Sequence, residues 1–275
     1  QRKKLRKNRL RQRRKLHRRQ KLLPAATFST RLLPPPRAKN RLLRQKTGNK
    51  PMEEKKYVTE WANENLGLTL KIANMVHEEQ TPFQHIQIAD TLEYGRLLIL
   101  DGVFQTSVKD EWTYHEMISH VPLMLHPHPE RVLIIGGGDG GVAREVCRHD
   151  CVNQVDLCDI DGRVIELSKE YFPTISTVLR NPPEKLHVHV GDGIAFARSV
   201  KDYYDVIIID CSDPIGPGEG LFTRDFYKSA YAALRKDGLI VQQTESPIVQ
   251  QKTVHDVFEA MNDVFPLVHM YYSHV

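Results

Sequence analysis

The sequence predicts an α/β protein in which a doubly wound parallel sheet follows a small antiparallel β domain. From Arg131 onward, strand-like segments alternate with segments at helical spacing, which is typical of repeated β–α units. One of these strands, DVIIID at 205–210, is apolar on both faces, as expected for a strand that helices cover on each side. Between Tyr57 and about Gln105 the pattern is instead one of short alternating strands separated by turn residues.

The N-terminal part of this pattern predicts a sheet built of hairpins. Leu68–Val76 alternates apolar and polar residues as a half-buried strand does, and Gln84–Ile88 and Arg96–Leu100 follow it. The turn dipeptide Asp101-Gly102 comes directly after the last of these strands. Helical spacing then begins at Tyr114–Leu125, which marks the change to the second domain.

The second domain is predicted from the order of its elements. Its predicted strands are Arg131–Ile135, Gln154–Asp159, Leu186–Val190, Asp205–Asp210, Leu239–Gln243 and Leu267–Tyr272. Its predicted helices are Gly140–His149, Arg163–Tyr171, Gly193–Ser199, Phe222–Leu234 and Val249–Phe265. We therefore expect the β domain at residues 51–112 and the α/β domain at residues 113–275.

The net charge of +5 hides two regions of opposite character. Residues 1–50 contain 20 Lys and Arg and no Asp or Glu, which leaves 19 basic and 34 acidic residues, a net charge of −15, in the other 225. We predict that residues 1–50 form a disordered arm, because blocks of like charge repel and stay solvated. The arm fits an organelle-targeting segment, a nucleic-acid or localisation tail, or upstream sequence foreign to the protein, and we favour the last.

The acidic charge of the remaining residues limits the partners that they can bind. Nucleic acid needs a cationic surface, so this part is not expected to bind it, whereas positively charged substrates suit it. No run of about 18 apolar residues is present, so no membrane span is predicted. The cysteines, Cys147, Cys151, Cys158 and Cys211, form no CxxC pair and no zinc-ligand spacing. Scattered reduced thiols of this kind indicate an intracellular, cytoplasmic protein.

The strongest motif is the glycine loop in RVLIIGGGDGGVAREV at 131–146. Gly136, Gly138 and Gly141 fit G-x-G-x-x-G between a strand and a helix, where the backbone can approach a ligand. Asp159 ends the next strand 20 residues after Asp139, where a carboxylate can accept the ribose hydroxyls of a nucleoside. The alternative is a tight turn followed by a solvent-facing acid.

Asp139, in the middle of this loop, narrows the choice of nucleoside. A carboxylate there repels the pyrophosphate of a dinucleotide and the amino-acid carboxylate of ordinary S-adenosylmethionine. Decarboxylated S-adenosylmethionine ends in an ammonium group instead and suits this acid. The alternative is that Asp139 caps the following helix.

A second group of acids lies in DVIIIDCSDPIGPG at 205–218. Asp210 ends the strand and Asp213 follows in a Pro/Gly-rich loop, where ligands of open α/β sheets bind. With Asp139 they would form an anionic pocket for an alkyl ammonium; helix capping and metal binding are the alternatives. Asp192-Gly193 ends the third strand, where it is placed either for an adenine edge or for a simple helix N-cap.

Histidines give weaker signals. The pairs His126/His128 and His187/His189 are predicted to be structural, and no histidine accompanies the 205–218 loop, so we expect no metal site. His115 is more interesting, because it lies beside Tyr114 in the segment that joins the two domains.

Several motifs in order make the chain similar to a known family from about Tyr57 to its end. They are LDGVFQT (100–106), KDEWTYHEMISHVPL (109–123), VLIIGGGDGGVAREV (132–146), YDVIIIDCSDPIGPGEGLFT (204–223) and QTESP (243–247). The chain resembles spermidine synthase, a polyamine aminopropyltransferase, and its bacterial members in particular. The resemblance implies a small β domain packed on a Rossmann-like catalytic domain similar to that of class I methyltransferases. It also implies aminopropyl transfer from decarboxylated S-adenosylmethionine to putrescine, with no prosthetic group, in a homodimer or homotetramer.

The resemblance also implies roles for individual residues. Those that match nucleoside-contacting positions are Gln84, Asp159, Asp192, Gly193 and Pro217. Those that match positions for the amine and the aminopropyl tail are His115, Asp139, Asp210, Cys211, Ser212 and Asp213, with Gln105, Tyr114 and Gln243 in support. Asp210 matches the proton acceptor.

Two departures from the family pattern stand out. Position 159 is Asp where members often have Glu, and the sequence reaches Val275 where the family continues with a further loop and strand. The same fold also allows a methyltransferase that uses S-adenosylmethionine, or a non-catalytic polyamine-binding protein, and the basic arm by itself allows nucleic-acid binding. The length of the pocket, which sets the choice between putrescine and longer amines, is not visible in the sequence.

Overall fold

The computed structural model describes residues 56–212, 214 and 216–273, with only the backbone at Pro217. The predicted basic arm at residues 1–50 and the predicted site residue Asp213 lie outside the described residues. Within these ranges the chain forms two five-stranded sheets, and helices surround the second sheet.

The first sheet is an antiparallel meander in which each strand pairs with the next along the chain. Its strands are β1 (Tyr57–Asn63), β2 (Leu66–Gln80), β3 (His85–Thr91), β4 (Arg96–Leu100) and β5 (Val103–Ser107). Strand β2 is longer than predicted, because its first part, residues 66–71, pairs with β1 and its second part, residues 72–80, pairs with β3. The prediction of a small antiparallel sheet is confirmed.

The second sheet is parallel and has the order β10-β9-β6-β7-β8. Its strands are β6 (Arg131–Gly136), β7 (Gln154–Asp159), β8 (Leu186–Val190), β9 (Tyr204–Asp210) and β10 (Leu234–Gln242). The helices are α1 (Glu111–Leu125), α2 (Gly141–Cys147), α3 (Gly162–Tyr171), α4 (Thr177–Arg180), α5 (Gly193–Arg198), α6 (Arg224–Ala233) and α7 (Gln251–Asn262), with a 3-10 helix at Gly216–Phe222. Each helix in the described ranges is too short or too polar to cross a bilayer.

Strand β9 explains why the sheet needs helices on both faces. Val206 and Ile208 pack into one apolar cluster, and Ile207 and Ile209 pack into another on the opposite face. All four side chains are fully buried. Alternate side chains of a strand point to opposite faces, so both faces of β9 are covered, which confirms the doubly wound prediction.

The strand order places a crevice between β6 and β9. Chain order reverses at this pair, and helices leave the sheet on opposite sides of it. The register pairs Gly136 with Asp210, so the carboxyl ends of both strands stop at the same level. Ligands of open α/β sheets bind in such a crevice.

The first sheet packs on one side of the second domain. Ile86 and Ile88 of β3 share a buried cluster with Leu167 of α3 and with Phe172 just after it. Arg163 of α3 also reaches Glu79 of β2 with two hydrogen bonds of 2.8 Å. The end of β2 is therefore held against the start of α3.

The strand predicted at Leu267–Tyr272 is not present, so that prediction is wrong. The segment lies along α1 instead: the Tyr271 hydroxyl donates to the carbonyl oxygen of Met117 at 3.1 Å, and the Ser273 hydroxyl to that of Thr113 at 2.9 Å. The large apolar side chains stay exposed here: Leu267, Met270 and Tyr272 are 71%, 43% and 66% exposed. An apolar pattern alone therefore does not make a strand, which also needs a neighbouring strand for its backbone hydrogen bonds.

Candidate active site

The crevice between β6 and β9 opens into a cavity of about 1260 Å³. The predicted site residues that line it are Gln84, Gln105, Tyr114, His115, Asp139, Asp159, Asp192, Gly193, Asp210, Cys211, Ser212 and Gln243. Pro217 lies in the 3-10 helix that follows the β9 loop. Small-molecule pockets usually measure about 300–1,000 Å³, so this cavity has room for a nucleoside and a second substrate together.

Asp159, at the end of β7, is held by the backbone. Its Oδ2 accepts the N–H of Gly138 at 2.9 Å and its Oδ1 accepts the N–H of Asp161 at 2.8 Å. A Cβ on Gly138 would lie 2.6 Å from that Oδ2, so only glycine allows the loop to come this close. Burial raises the pKa of Asp159 to about 6, although both backbone N–H groups act to lower it. Each oxygen keeps a second lone pair that can accept a hydroxyl from a ligand.

Asp210, at the end of β9, pairs with a tyrosine from α1. The Tyr114 hydroxyl donates to Asp210 Oδ1 at 2.6 Å. Burial raises the pKa of Asp210 to about 6, and the nearby carboxylate of Asp139 acts in the same direction. Burial and the charge of Asp210 hold the pKa of Tyr114 well above 10.0, so the phenol keeps its proton. A carboxylate with such a pKa can take up a proton near neutral pH.

Asp139 is fixed at both of its oxygens. Oδ1 accepts the N–H of Gly141 at 2.8 Å, and Oδ2 lies 3.2 Å from Nε2 of His115. Asp139 therefore contacts the first residue of α2 and also lines the cavity. The positive charge of His115 keeps the pKa of Asp139 below its usual range, although burial opposes this.

His115 continues this chain of contacts on its other side. Its Nδ1 lies 2.5 Å from Oε2 of Glu111, one turn earlier on α1. Arg144 of α2 then donates to both oxygens of Glu111, at 3.0 and 2.8 Å. Burial would lower the pKa of His115, but the Asp139 and Glu111 carboxylates raise it to about 10. His115 is therefore an imidazolium at neutral pH.

The predicted adenine-side residues lie farther along the same rim. Asp192 caps α5, because its Oδ1 accepts the N–H of Ile194 at 2.8 Å. Gly193 is the first residue of that helix. The Gln84 amide donates to Oδ2 of Asp161 at 3.0 Å and so lies beside the turn that holds Asp159.

Three further predicted site residues, Gln105, Ser212 and Gln243, line the cavity. The Gln243 amide donates to the carbonyl oxygen of Cys211 at 2.7 Å and holds the start of the loop after β9. Ser212 follows in the same loop. The Gln105 amide makes a longer bond, 3.4 Å, to the carbonyl oxygen of Val103.

Two groups of side chains in the described ranges are compact enough to hold a metal ion. In each group, the donor atoms lie within 4.8 Å of one another; the groups are His115, Asp139 and Asp210, and Glu116, His120 and Glu145. Both nitrogens of His115 already face carboxylates. Glu145 already pairs with the arginines at 144 and 148. In both groups, protein cations balance the carboxylates.

The sequence analysis did not single out Glu111, Arg144 or Asp161. Glu111 could have been found, because it precedes His115 by four residues and therefore shares its helix face. Arg144 and Asp161 act through partners that lie far away in the chain. Local spacing carries no signal for such contacts.

Two family models match the chain. The model described as "Spermine/spermidine synthase domain" matches residues 111–275. The model described as "Spermidine synthase tetramerisation domain" matches residues 57–107, which is the first sheet.

Curated relatives agree with these models. A polyamine aminopropyltransferase from Thermoanaerobacter sp. (strain X514) is 47% identical over 215 residues, which cover 78% of this chain and 77% of that protein. A polyamine aminopropyltransferase from Bacillus subtilis (strain 168) is 42% identical over 219 residues, with coverage of 80% and 79%.

Solved structures also agree. Spermidine synthase from Thermotoga maritima aligns with a TM-score of 0.74 at 38% identity and covers 78% of this chain and 72% of that one. A spermidine synthase in complex with the transition state analogue AdoDATO aligns with a TM-score of 0.75 at 38% identity, covering 78% and 73%. From its sequence, its fold and the acids around its crevice, this chain belongs to the spermidine synthase family of polyamine aminopropyltransferases.

Proposed function

We propose that this chain is a spermidine synthase that transfers the aminopropyl group of decarboxylated S-adenosylmethionine to putrescine and releases spermidine and methylthioadenosine. The observation that carries this proposal is the contact between Tyr114 and Asp210, 2.6 Å long, in the same crevice as Asp139 and Asp159. Asp159 suits the hydroxyls of a ribose, whereas Asp139 and Asp210 suit alkyl ammonium groups.

In this proposal the nucleoside lies along the ends of β6 and β7. Asp159 accepts hydroxyls of the ribose through the lone pairs that its backbone donors leave unused. Asp192 and Gly193, at the start of α5, border the adenine, and Gln84 supports the turn after β7. The short arm of Asp159 fits a loop that approaches the carboxylate as closely as Gly138 does.

Asp139 selects the donor by charge. Ordinary S-adenosylmethionine would place a carboxylate near the acids of this loop, and two like charges at close range in a buried site repel strongly. The decarboxylated donor carries only an ammonium at that end. Its positive charge complements Asp139 and the neighbouring Asp210, which raise each other's energy when both are ionised.

The reaction needs a neutral amine. Putrescine amines, like Lys, have a pKa of about 10.4 and arrive protonated. One amine of putrescine loses its proton to Asp210 beside the positively charged sulfonium, which disfavours the ammonium form. The freed lone pair forms the new N–C bond, the C–S bond breaks, and its electrons stay on sulfur as a neutral thioether. The distal ammonium stays charged and binds to the remaining acids.

Tyr114 has a separate role in this step. Its phenol keeps its proton and donates to Oδ1 of Asp210, so the other oxygen is left to face the amine. Holding nitrogen, carbon and sulfur in line supplies the rest of the acceleration. Gln105 and Gln243 border the space for putrescine, together with Cys211 and Ser212 of the loop after β9.

The test is a product assay. The protein is incubated with decarboxylated S-adenosylmethionine and a panel of amines, and the products are identified by mass. The proposal requires spermidine and methylthioadenosine in equal amounts with putrescine as acceptor. A methylated product from ordinary S-adenosylmethionine, or binding of methylthioadenosine with no transfer, would contradict it.

We also propose that the chain assembles as a tetramer through its first sheet and works in the cytoplasm. The family model that matches this sheet is described as a tetramerisation domain, and Trp61 of β1 and Leu68 of β2 are 67% and 55% exposed. We expect Trp61→Glu to give a smaller species in light scattering, whereas Met124→Glu, at another exposed site, keeps the wild-type mass. Equal masses for both variants would count against the sheet as the interface. None of the four cysteines, all in the described ranges, forms a disulfide, as suits a reducing compartment.

A further inference from the structure

His115 lies between two carboxylates in the described structure. Glu111 Oε2 is 2.5 Å from its Nδ1, and Asp139 Oδ2 is 3.2 Å from its Nε2. A neutral imidazole has one N–H and can satisfy only one of these acceptors, whereas an imidazolium donates to both. The side chain is only 2% exposed, so water does not take the place of either partner.

Arg144 holds Glu111 in place from the other side. Its two terminal nitrogens donate to the two oxygens of Glu111, and its Nε donates to Glu145 at 2.8 Å. Such a fork fixes both the position and the plane of a carboxylate, which a lysine cannot do. Charges therefore alternate from Arg144 through Glu111 and His115 to Asp139.

Gly141 locks the ring in position. A Cβ on Gly141 would lie 2.2 Å from two atoms of the His115 ring, so the ring packs directly on the backbone at the start of α2. The same Gly141 donates its N–H to Oδ1 of Asp139. Gly141 thus contacts both the His115 ring and the Asp139 carboxylate.

We propose that Glu111 and Arg144 are positioning residues of the aminopropyl-transfer site, which keep His115 as an imidazolium so that it orients Asp139 toward the cavity. This inference rests on the proposed function, because it assigns the acids their substrates. Glu111 and Arg144 act through His115 and take no part in the transfer itself. The raised pKa of His115, about 10, agrees with this arrangement.

The charged groups around His115 set the expected pH behaviour. Glu111 and Asp139 face its two nitrogens, Asp210 adds a further negative charge, and Tyr114 contacts its ring edge with centroids 5.3 Å apart. Without the charge of Glu111, the pKa of His115 falls toward its ordinary value of about 6.5. At higher pH the ring then becomes neutral, and Asp139 and Asp210 are left with less positive charge between them.

The first measurement follows His115 itself and needs no turnover. The protein has 13 histidines, so the Cε1–H signal of His115 is assigned by its loss in His115→Gln. In the wild-type protein we expect this signal to titrate near pH 10. In Glu111→Gln we expect it to titrate well below that pH, and an unchanged titration would overturn the proposal.

The second measurement compares kcat/KM for aminopropyl transfer between pH 6.5 and 9. We expect Glu111→Gln to approach wild type at pH 6.5 and to fall about tenfold to hundredfold below it at pH 9, as for a displaced reacting group. Arg144→Lys keeps the charge and loses the fork, so it should show a smaller decline of the same form. Arg148→Gln removes a neighbouring exposed cation that does not touch Glu111 and should match wild type.

Each result decides a different point. A constant ratio of wild type to Glu111→Gln across this range would show that Glu111 does not act through the charge of His115 and would overturn the proposal. If Glu111→Gln does not fold, Arg144→Lys carries the same comparison. A wild-type protein without transfer activity would remove the proposed function, while the titration of His115 would still test the charge arrangement.

Discussion

Replacing Asp210 with asparagine tests the proposed chemistry most directly. Asparagine keeps the shape of the side chain and an oxygen that can accept the Tyr114 hydroxyl, but it cannot take a proton from an amine. General base catalysis contributes about 10²–10⁴ in rate. The expected loss in kcat is therefore about a hundredfold or more, or about 3–5 kcal/mol of activation free energy.

The same change should stabilise the fold at neutral pH. The folded protein raises the pKa of Asp210 from 3.8 to about 6, so it disfavours the ionised form. Below about pH 4 the carboxyl is protonated in both the folded and the unfolded state. The free-energy cost of ionising it in the folded protein develops as pH rises from there to about 6. At pH 7 the cost is at most about 3 kcal/mol and is reduced by the solvent that reaches this partly exposed side chain. Asp210→Asn removes it.

The assay combines single-turnover transfer, calorimetric binding of methylthioadenosine and urea unfolding at pH 7. We expect slow transfer, unchanged nucleoside binding and equal or higher stability. Asp156→Asn is a matched control, because Asp156 is 5% exposed and accepts a tyrosine hydroxyl, that of Tyr204, at 3.0 Å, yet lies outside the cavity. Asp156→Asn should keep wild-type turnover. Near-normal transfer in Asp210→Asn would remove Asp210 from the role of base.

Three more predictions concern the nucleoside side of the site. Because the pKa of Asp159 is raised to about 6 and its ionised form is the better acceptor, methylthioadenosine should bind more tightly as pH rises through 6, as measured by calorimetry; a flat profile would contradict this. Gly138→Ala puts a Cβ 2.6 Å from Oδ2 of Asp159 and should weaken that binding at least tenfold. In Gly102→Ala the Cβ has no neighbour within 4 Å and only the positive φ of 83° is strained, so this variant should leave the binding unchanged. Thr81→Val removes the 2.8 Å bond to the buried Asp161 and should lower the free energy of unfolding in urea by about 1–3 kcal/mol; an unchanged midpoint would refute this.

Much of the fold could be predicted from local patterns. The run DVIIID predicted a strand covered on both faces, because a strand exposed on one side would need alternate polar residues, and β9 is that strand. The glycine loop and the acids at the strand ends predicted where side chains would meet, because parallel strands all finish at one edge of the sheet. Asp139, Asp159 and Asp210 do share one cavity.

Contacts between distant segments were not accessible in this way. Glu111 and Arg144 are 33 residues apart, and each is a residue type that is common on helix surfaces. The segment 267–272 shows the reverse error, since its apolar residues predicted a strand, whereas its large side chains are exposed and Tyr271 bonds to α1. A period predicts which residues share a face, whereas the neighbour that this face meets depends on the assembled fold.

The hydrogen bonds to Asp161 have a consequence for anyone who would recombine these two domains. Oδ2 of Asp161 accepts the hydroxyl of Thr81 and the amide of Gln84, while its own N–H supports Asp159. A chimaera that took only the α/β half from this chain would leave Oδ2 of this buried acid without those two donors, two residues away from Asp159. Domain shuffling in this family therefore has to carry the β2–β3 turn along with the catalytic half, or redesign both sides of that seam at once.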